Sequence, residues 1–123
     1  MACKRSPHYR HRGFTLLEML GSNVDKGKYG AGKAQLASLS MKIESYALDI
    51  GAPPRELADL TSAPANTGNW NGPYAKPSDL LDPYGHPFGY RAPGAHGSFD
   101  LVFFGKDGQP GGDSYNADLG NWE

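Results

Sequence analysis

In the sequence AGKAQLASLSMKIESYALDI, residues 31–50, the apolar residues repeat at the spacing of an α-helix. Polar side chains fill most of the other positions, so the pattern predicts an amphipathic helix that packs one face against a sheet. Gly51 follows where a left-handed C-cap is expected, and Pro53 and Pro54 prevent the helix from continuing. The apolar stripe consists of Leu36, Leu39, Ile43, Tyr46, Ala47 and Ile50.

Two short strands are predicted after the helix, at residues 88–91 and 98–104. The segment between them, residues 92–97, contains proline and glycine and fits a hairpin connection. The second strand ends in a fully apolar run, which is typical of a strand covered by a helix. The sequence therefore predicts an α+β fold, with the helix laid on a small antiparallel sheet.

A long connection, residues 52–87, joins the helix to these strands. Residues 55–60 can form one or two helical turns, with Leu57 and Leu60 facing inward. A structureless loop of this length is unusual in a small domain, so we expect its large side chains to pack it down. These side chains are Trp70, Tyr74, Leu80, Leu81 and Tyr84.

Composition limits the class of protein. A length of 123 residues predicts one domain, and 17 glycines with 10 prolines exclude an all-helical chain. Lysine and arginine number 12 against 13 acidic residues, so the charge predicts no nucleic-acid partner. The single cysteine cannot form an intrachain disulfide. Zinc-ligand spacings, a hydrolase elbow and a phosphate loop are all missing from the sequence, which predicts that the protein is not an enzyme.

The N-terminus carries a motif of its own. Residues 4–12 contain four lysines or arginines and no acid, and an apolar run interrupted by Glu18 follows. A glutamate in such a run needs a reason, because it is costly to bury in a membrane. The sequence RGFTLLE, residues 12–18, resembles the type III signal of type IV pilins and pseudopilins.

This resemblance implies processing by a prepilin peptidase. Residues 1–13 would be the leader, with cleavage after Gly13 and N-methylation of the new N-terminal Phe14. Glu18 would pair with the amine of a neighbouring subunit during assembly, because an unpaired carboxylate in apolar packing is costly.

The chain departs from this family after Glu18. A pilin continues with an apolar helix of roughly 20 residues, enough to span a bilayer. Residues 21–30 are instead polar and glycine-rich, and are predicted neither to span a membrane nor to sustain a stable helix. We therefore expect residues 14–30 to be a truncated helix start and a polar linker, with the hydrophobic segment removed by engineering or lost naturally. Such a chain is expected to be soluble.

Several blocks of the remaining sequence sharpen the resemblance. In order and spacing they resemble the major pseudopilins of type II secretion systems, the general secretion pathway protein G family. That family has tryptophan where this chain has Tyr84. The resemblance implies a type IV pilin-like fold for residues 31–123. The blocks are WNGPY (70–74), LDPYGHPFGYR (81–91), PGAHG (93–97), FGKDG (104–108) and ADLGNW (117–122).

The loop of residues 104–118 is the candidate metal site. It carries three carboxylates and many unhindered carbonyl oxygens, and calcium takes six to eight oxygen ligands. It lacks the spacing of an EF-hand, and aspartate–glycine loops are more often plain turns. The resemblance, however, implies a structural Ca²⁺ held by Asp107 and Asp118. Further ligands that it implies are Asp113, Asn116 and the carbonyl of Phe104.

The resemblance implies a structural subunit of the type II secretion pseudopilus, a periplasmic filament that drives export of folded proteins across the outer membrane. Its partners would be copies of itself, other pseudopilins, the inner-membrane assembly platform and prepilin peptidase. The expected location is the inner membrane, facing the periplasm. Two alternatives stay open: a type IV pilin or minor pseudopilin in adhesion or DNA uptake, and a soluble calcium-binding module.

Overall fold

A computed structural model describes residues 7–65 and 67–123, with side chains from residue 24 onward. A long helix packs on a three-stranded antiparallel sheet whose middle strand is Asp100–Phe103, which confirms the predicted α+β fold. The elements are α1 (Pro7–Ile50), β1 (Gly89–Arg91), β2 (Asp100–Phe103) and β3 (Leu119–Gly120). Three short 3₁₀ helices lie at Leu57–Leu60, Pro77–Leu80 and Ser114–Asn116.

The core lies between α1 and the sheet, as the stripe predicts. The helix contributes four side chains that are at most 4% exposed: Leu36, Leu39, Ile43 and Tyr46. Leu101 and Phe103 of β2 belong to the same buried cluster and are both 0% exposed. Fully burying one such apolar side chain contributes about 1.5–3 kcal/mol, so burial of this stripe is a large contribution to the stability of the folded domain.

The helix is longer than predicted. The prediction that residues 21–30 form a linker unable to sustain a helix is wrong, because these residues continue α1 without a break. Tyr29 packs on the Phe103 ring, with the ring centroids 5.0 Å apart. Gly32 lies so close to the same ring that a Cβ would overlap it. Packing against β2 therefore overrides the low helix propensity that the composition indicates.

The predicted hairpin is confirmed, with slightly shorter strands in which Tyr90 lies opposite Leu101. Asp100 closes its turn by accepting hydrogen bonds from the amides of Ala95 (2.8 Å) and His96 (3.1 Å). Burial alone would raise the pKa of Asp100, but these hydrogen bonds outweigh it and hold the pKa below its ordinary value. Asp100 is therefore a structural carboxylate rather than a solvated charge.

The long connection is ordered mainly by the predicted side chains. Leu60 is fully buried at the end of its 3₁₀ turn, and Trp70 packs edge-to-face on Tyr74 with centroids 5.6 Å apart. Leu81 is 44% exposed, so its predicted packing role is wrong. Its backbone holds the segment instead, because the Leu81 carbonyl accepts a hydrogen bond from Gln35 Nε2 at 2.8 Å.

Candidate functional site

The loop between β2 and β3, residues 104–118, is ordered by its own backbone. The Lys106 amide donates to the Tyr115 carbonyl at 2.7 Å and closes the base of the loop. The Asn116 amide donates to the Asp113 carbonyl at 2.9 Å, within the turn that leads to β3. Gly105 takes a φ of +80°, a conformation that favours glycine, where the chain leaves β2.

Asp118 has the clearest geometry for binding a cation. Its Oδ2 accepts a hydrogen bond from the Gly111 amide at 2.9 Å. Its Oδ1 is buried and has no hydrogen-bond partner. An orphaned carboxylate oxygen is costly, so this atom fits a cation that would satisfy it.

The other predicted ligands are less engaged. Asp107 is exposed, and its Oδ1 accepts a hydrogen bond from the Gln109 amide at 3.1 Å, which makes a local turn. Asp113 is exposed, whereas Asn116 and Phe104 are half-buried. In the part of the chain that the structure describes, no three acidic, histidine or cysteine side chains gather as a metal cluster. An ion here would therefore draw most of its ligands from carbonyl oxygens, which Ca²⁺ accepts.

Side chains of α1 outside the sequence motifs and the apolar stripe fasten the loop to the helix. Tyr29 Oη donates to the Ala117 carbonyl at 2.7 Å, next to Asp118. Lys106 Nζ forms an ion pair with Asp25 Oδ2 at 3.0 Å. Together these contacts hold both ends of the loop against the helix.

A neighbouring turn supports the same end of α1. Tyr84 Oη donates to the Asp25 carbonyl at 3.0 Å, and the Tyr84 ring stacks on Phe103 with centroids 6.4 Å apart. His86 Nε2 lies 3.1 Å from the Lys106 carbonyl, which links this turn to the loop. Asp82 holds the turn together, because its Oδ1 accepts hydrogen bonds from the Tyr84 and His86 amides.

Burial and nearby carboxylates both affect the pKa of Tyr29. Burial raises the pKa of the Tyr29 hydroxyl, and the nearby carboxylates of Asp118 and Glu123 raise it further. A signal for Tyr29 was present in the sequence, since it lies seven residues before Leu36 and extends the apolar stripe. Extending the stripe across the glycines of residues 27–32 would have found it.

The processing motif lies in the first part of α1. The backbone at Gly13, Phe14 and Glu18 is helical. The side chains of Phe14 and Glu18 lie outside the described residues, as do leader residues 1–6 altogether. Within the described part of the chain, no helix combines the length and apolarity that crossing a membrane requires. The cleavage site and the role of Glu18 therefore stay predictions.

Comparison with known proteins places the chain in a family. The sequence model described as type II secretion system (T2SS), protein G, matches residues 19–122. The type II secretion system core protein G of Xanthomonas campestris pv. campestris is 46% identical over 108 residues, which cover 85% of this chain and 76% of that protein. The core protein G of Pseudomonas aeruginosa is 34% identical over 108 residues, with 83% and 76% covered.

A solved structure agrees with the sequence relatives. The crystal structure of the major pseudopilin from the type 2 secretion system of enterohaemorrhagic Escherichia coli matches with a TM-score of 0.64. It is 27% identical in sequence, and the match covers 84% of this chain and 93% of that one.

Proposed function

The chain belongs to the type II secretion system protein G family, and we propose that it polymerises with copies of itself into a periplasmic filament that drives export of folded proteins across the outer membrane. It is a structural subunit of the type II secretion pseudopilus, and its family works by assembly with other pseudopilins rather than by catalysis. The family resemblance read from the sequence is confirmed. Membership of this family favours secretion over the pilin and calcium-module alternatives.

The observation that carries the proposal is a single helix, Pro7–Ile50, whose second half is packed rigidly on the sheet. Burial of the stripe fixes the globular domain on the helix, so packing of helices in a filament would place the domains at a regular spacing. The domain would then form the outer surface of the filament. Copies of the chain, other pseudopilins and the inner-membrane assembly platform are the partners of this step.

Processing would precede assembly. Prepilin peptidase would cleave between Gly13 and Phe14 and leave an N-methylated Phe14, and Glu18 would pair with the amine of a neighbouring subunit. The family is associated with the cell envelope. The proposed location is the inner membrane facing the periplasm.

The loop would hold a structural Ca²⁺. The buried, unpartnered Oδ1 of Asp118 supports this proposal, and the loop carbonyls, including that of Phe104, would complete the oxygen ligands. Asp107 is the second proposed carboxylate ligand, with Asp113 and Asn116 as further candidates. When bound, the ion would supply positive charge that fixes the loop, and this chain's residues would position it.

A graft tests the proposed function directly. Residues 24–123 would be placed behind the N-terminal segment of the Xanthomonas campestris relative and expressed in cells that lack that relative. The junction at residue 24 keeps Asp25 and Tyr29, which fasten the loop. We expect secretion to be restored, and cross-linking to give ladders of the graft. A graft that accumulates in the envelope but restores neither secretion nor cross-links would contradict the proposal.

A further inference from the structure

We propose that the C-terminal loop acts as a clasp that keeps residues 24–30 of α1 helical, so that release of the loop melts this segment while the rest of the packed helix stays folded. The clasp consists of two contacts, Tyr29 with Ala117 and Asp25 with Lys106. The inference deepens the proposed function, because the loop is the proposed calcium site.

The segment has little helical stability of its own. Residues 24–30, VDKGKYG, contain two glycines, and each lowers the helix–coil equilibrium by about two- to fivefold relative to alanine. Neither Gly27 nor Gly30 has an atom within 4 Å of the position of a Cβ, so neither is required for close packing. Most other side chains of the segment are exposed, including Val24 at 56%. Helix formation here therefore depends on contacts made by Asp25 and Tyr29.

Both of these residues are bonded to the loop. Tyr29 Oη donates to Ala117 O at 2.7 Å, which ties the segment to the end of the loop nearest β3. Lys106 Nζ contacts Asp25 Oδ2 at 3.0 Å, which ties it to the end nearest β2. The Lys106 side chain is 52% exposed and that of Asp25 is 20% exposed, so this pair lies at the surface and is weaker than the half-buried hydroxyl contact.

The rest of the packed helix is fastened by other parts of the chain. Lys42 Nζ pairs with Asp79 Oδ2 at 3.1 Å, and Tyr74 Oη donates to Asp49 Oδ2 at 2.6 Å. Both partners belong to the connection between α1 and the hairpin, not to the loop. Release of the loop therefore removes the Ala117 and Lys106 contacts of residues 24–30 and leaves these two in place. What then holds the segment is the hydrogen bond from Tyr84 to the Asp25 carbonyl and the contact of the Tyr29 ring with Phe103.

Amide hydrogen exchange on the full chain tests the clasp, with Tyr29→Phe as the main variant. Phenylalanine keeps the ring that packs on Phe103 and removes the hydroxyl that bonds to Ala117. We expect exchange at residues 24–30 to accelerate about five- to tenfold, the effect of one net hydrogen bond on local opening, with exchange at residues 36–46 unchanged. Tyr74→Phe is the matched control, since it also removes one hydroxyl contact to a helix, and it is expected to leave residues 24–30 unchanged.

A second pair of variants keeps the test independent of the tyrosine. Lys106→Met removes the surface ion pair at the loop, and Lys42→Met removes the comparable pair elsewhere on α1. We expect a smaller acceleration at residues 24–30 for Lys106→Met, and none there for Lys42→Met. Adding Gly27→Ala and Gly30→Ala to Tyr29→Phe is expected to restore slow exchange. Unchanged exchange at residues 24–30 in both loop variants, or equal acceleration along all of α1, would overturn the proposal.

Calcium separates this inference from the proposed metal site. In wild-type protein we expect a chelator to accelerate exchange in residues 104–118 and 24–30 together, relative to calcium chloride. Calcium-dependent protection confined to the loop would overturn the clasp and leave the metal site standing. A chain that binds no calcium by calorimetry, but shows the local Tyr29→Phe effect, would overturn the metal site and support the clasp.

Discussion

Residues 36–46 and residues 24–30 belong to the same helix, yet they are helical for different reasons. The first stretch carries four buried apolar side chains at helical spacing, and its pattern predicts a helix before any tertiary contact is known. The second carries two glycines and three charged residues, and it is helical where Tyr29 and Asp25 meet the sheet and the loop. Burial stabilises one stretch, and a few specific contacts hold the other.

This difference assigns separate roles to the two stretches. A helix held by a broad apolar stripe gives way only when the whole domain unfolds, because its contacts are distributed over many side chains. A helix held by a few specific contacts opens locally, because losing one of them removes a large share of what holds it. In a filament subunit, the first stretch would attach the globular domain to the helix. The helicity of the second stretch would depend on whether the loop is in contact with α1.

The largest effect is expected from a core substitution in the first stretch. Ile43→Ala is expected to lower the free energy of unfolding by about 2–5 kcal/mol, because Ile43 is 0% exposed and the lost side chain leaves a cavity. Urea unfolding followed by circular dichroism measures the change. Met41→Ala, on the same helix at 67% exposure, is the control and is expected to change stability by less than about 0.5 kcal/mol. Similar losses for the two variants would contradict the assignment of the buried face.

Calcium is expected to act on the second stretch through the loop. Calcium at 100 times its dissociation constant stabilises the folded state by about 2.7 kcal/mol, which raises Tm by roughly 10 °C for a domain of this size. Asp118→Ala is expected to remove most of the difference in Tm between calcium and chelator, and Asp107→Ala to reduce it. Magnesium is expected to substitute poorly, because it demands a small octahedral shell.

The control for this experiment is an exposed acid outside the loop. Asp100 is unsuitable because it closes the hairpin turn with two amide hydrogen bonds, so Asp100→Asn would lower stability for its own reason. Glu56 is exposed and lies in the connection after α1, so Glu56→Gln is expected to keep the full calcium response. Equal Tm values for wild-type protein in calcium and in chelator would leave the loop as an ordinary acidic turn.

Acid is expected to weaken the contact of Asp79 with the first stretch and the hydrogen bonds of Asp100 in the hairpin turn. The Lys76 amide and the Lys42 ammonium hold the pKa of Asp79 below its ordinary value, and the pKa of Asp100 is lowered as well. A carboxylate with a lowered folded-state pKa contributes stability that is present above its unfolded pKa of about 3.9 and is lost as pH falls through the folded value. The urea concentration at the midpoint of unfolding should therefore decrease once the pH is below about 4. The difference in this midpoint between wild type and Asp100→Asn should become smaller at the same pH. A difference in midpoint between wild type and Asp100→Asn that stays constant from pH 7 to pH 3 would contradict this role of Asp100.

Prediction from sequence succeeded where a periodic pattern spans many residues. The stripe of residues 36–46 and the apolar run of β2 repeat often enough to indicate both element and buried face. The strand Leu119–Gly120 was not predicted, because two residues carry no alternation. The helix at residues 24–30 was missed because its contacts come from Ala117 and Lys106, about 80 to 90 positions away in the chain.

The candidate site was predicted less completely, for a related reason. The aspartates of the loop are visible in the sequence, and family motifs single out Asp107 and Asp118. That Asp118 buries an unpartnered oxygen while Asp107 stays exposed depends on how the loop folds back on itself. Tyr29 lay within reach of a longer stripe, whereas the pairing of Asp25 with Lys106 left no local signal.

The smallest effect is expected from glycine substitutions in α1, and it compares two glycines that are two residues apart. Gly30 has open space where a Cβ would lie, so Gly30→Ala is expected to raise the free energy of unfolding by about 0.5–1 kcal/mol through helix propensity. Gly32 touches the Phe103 ring, so Gly32→Ala is expected to lower it by about 1–3 kcal/mol through overpacking. Urea unfolding of both variants measures the contrast, and opposite signs would show that Gly30 lies on the open face of α1 and Gly32 on the face that packs against β2. The same sign for both would contradict this assignment of the two glycines to opposite faces of the helix.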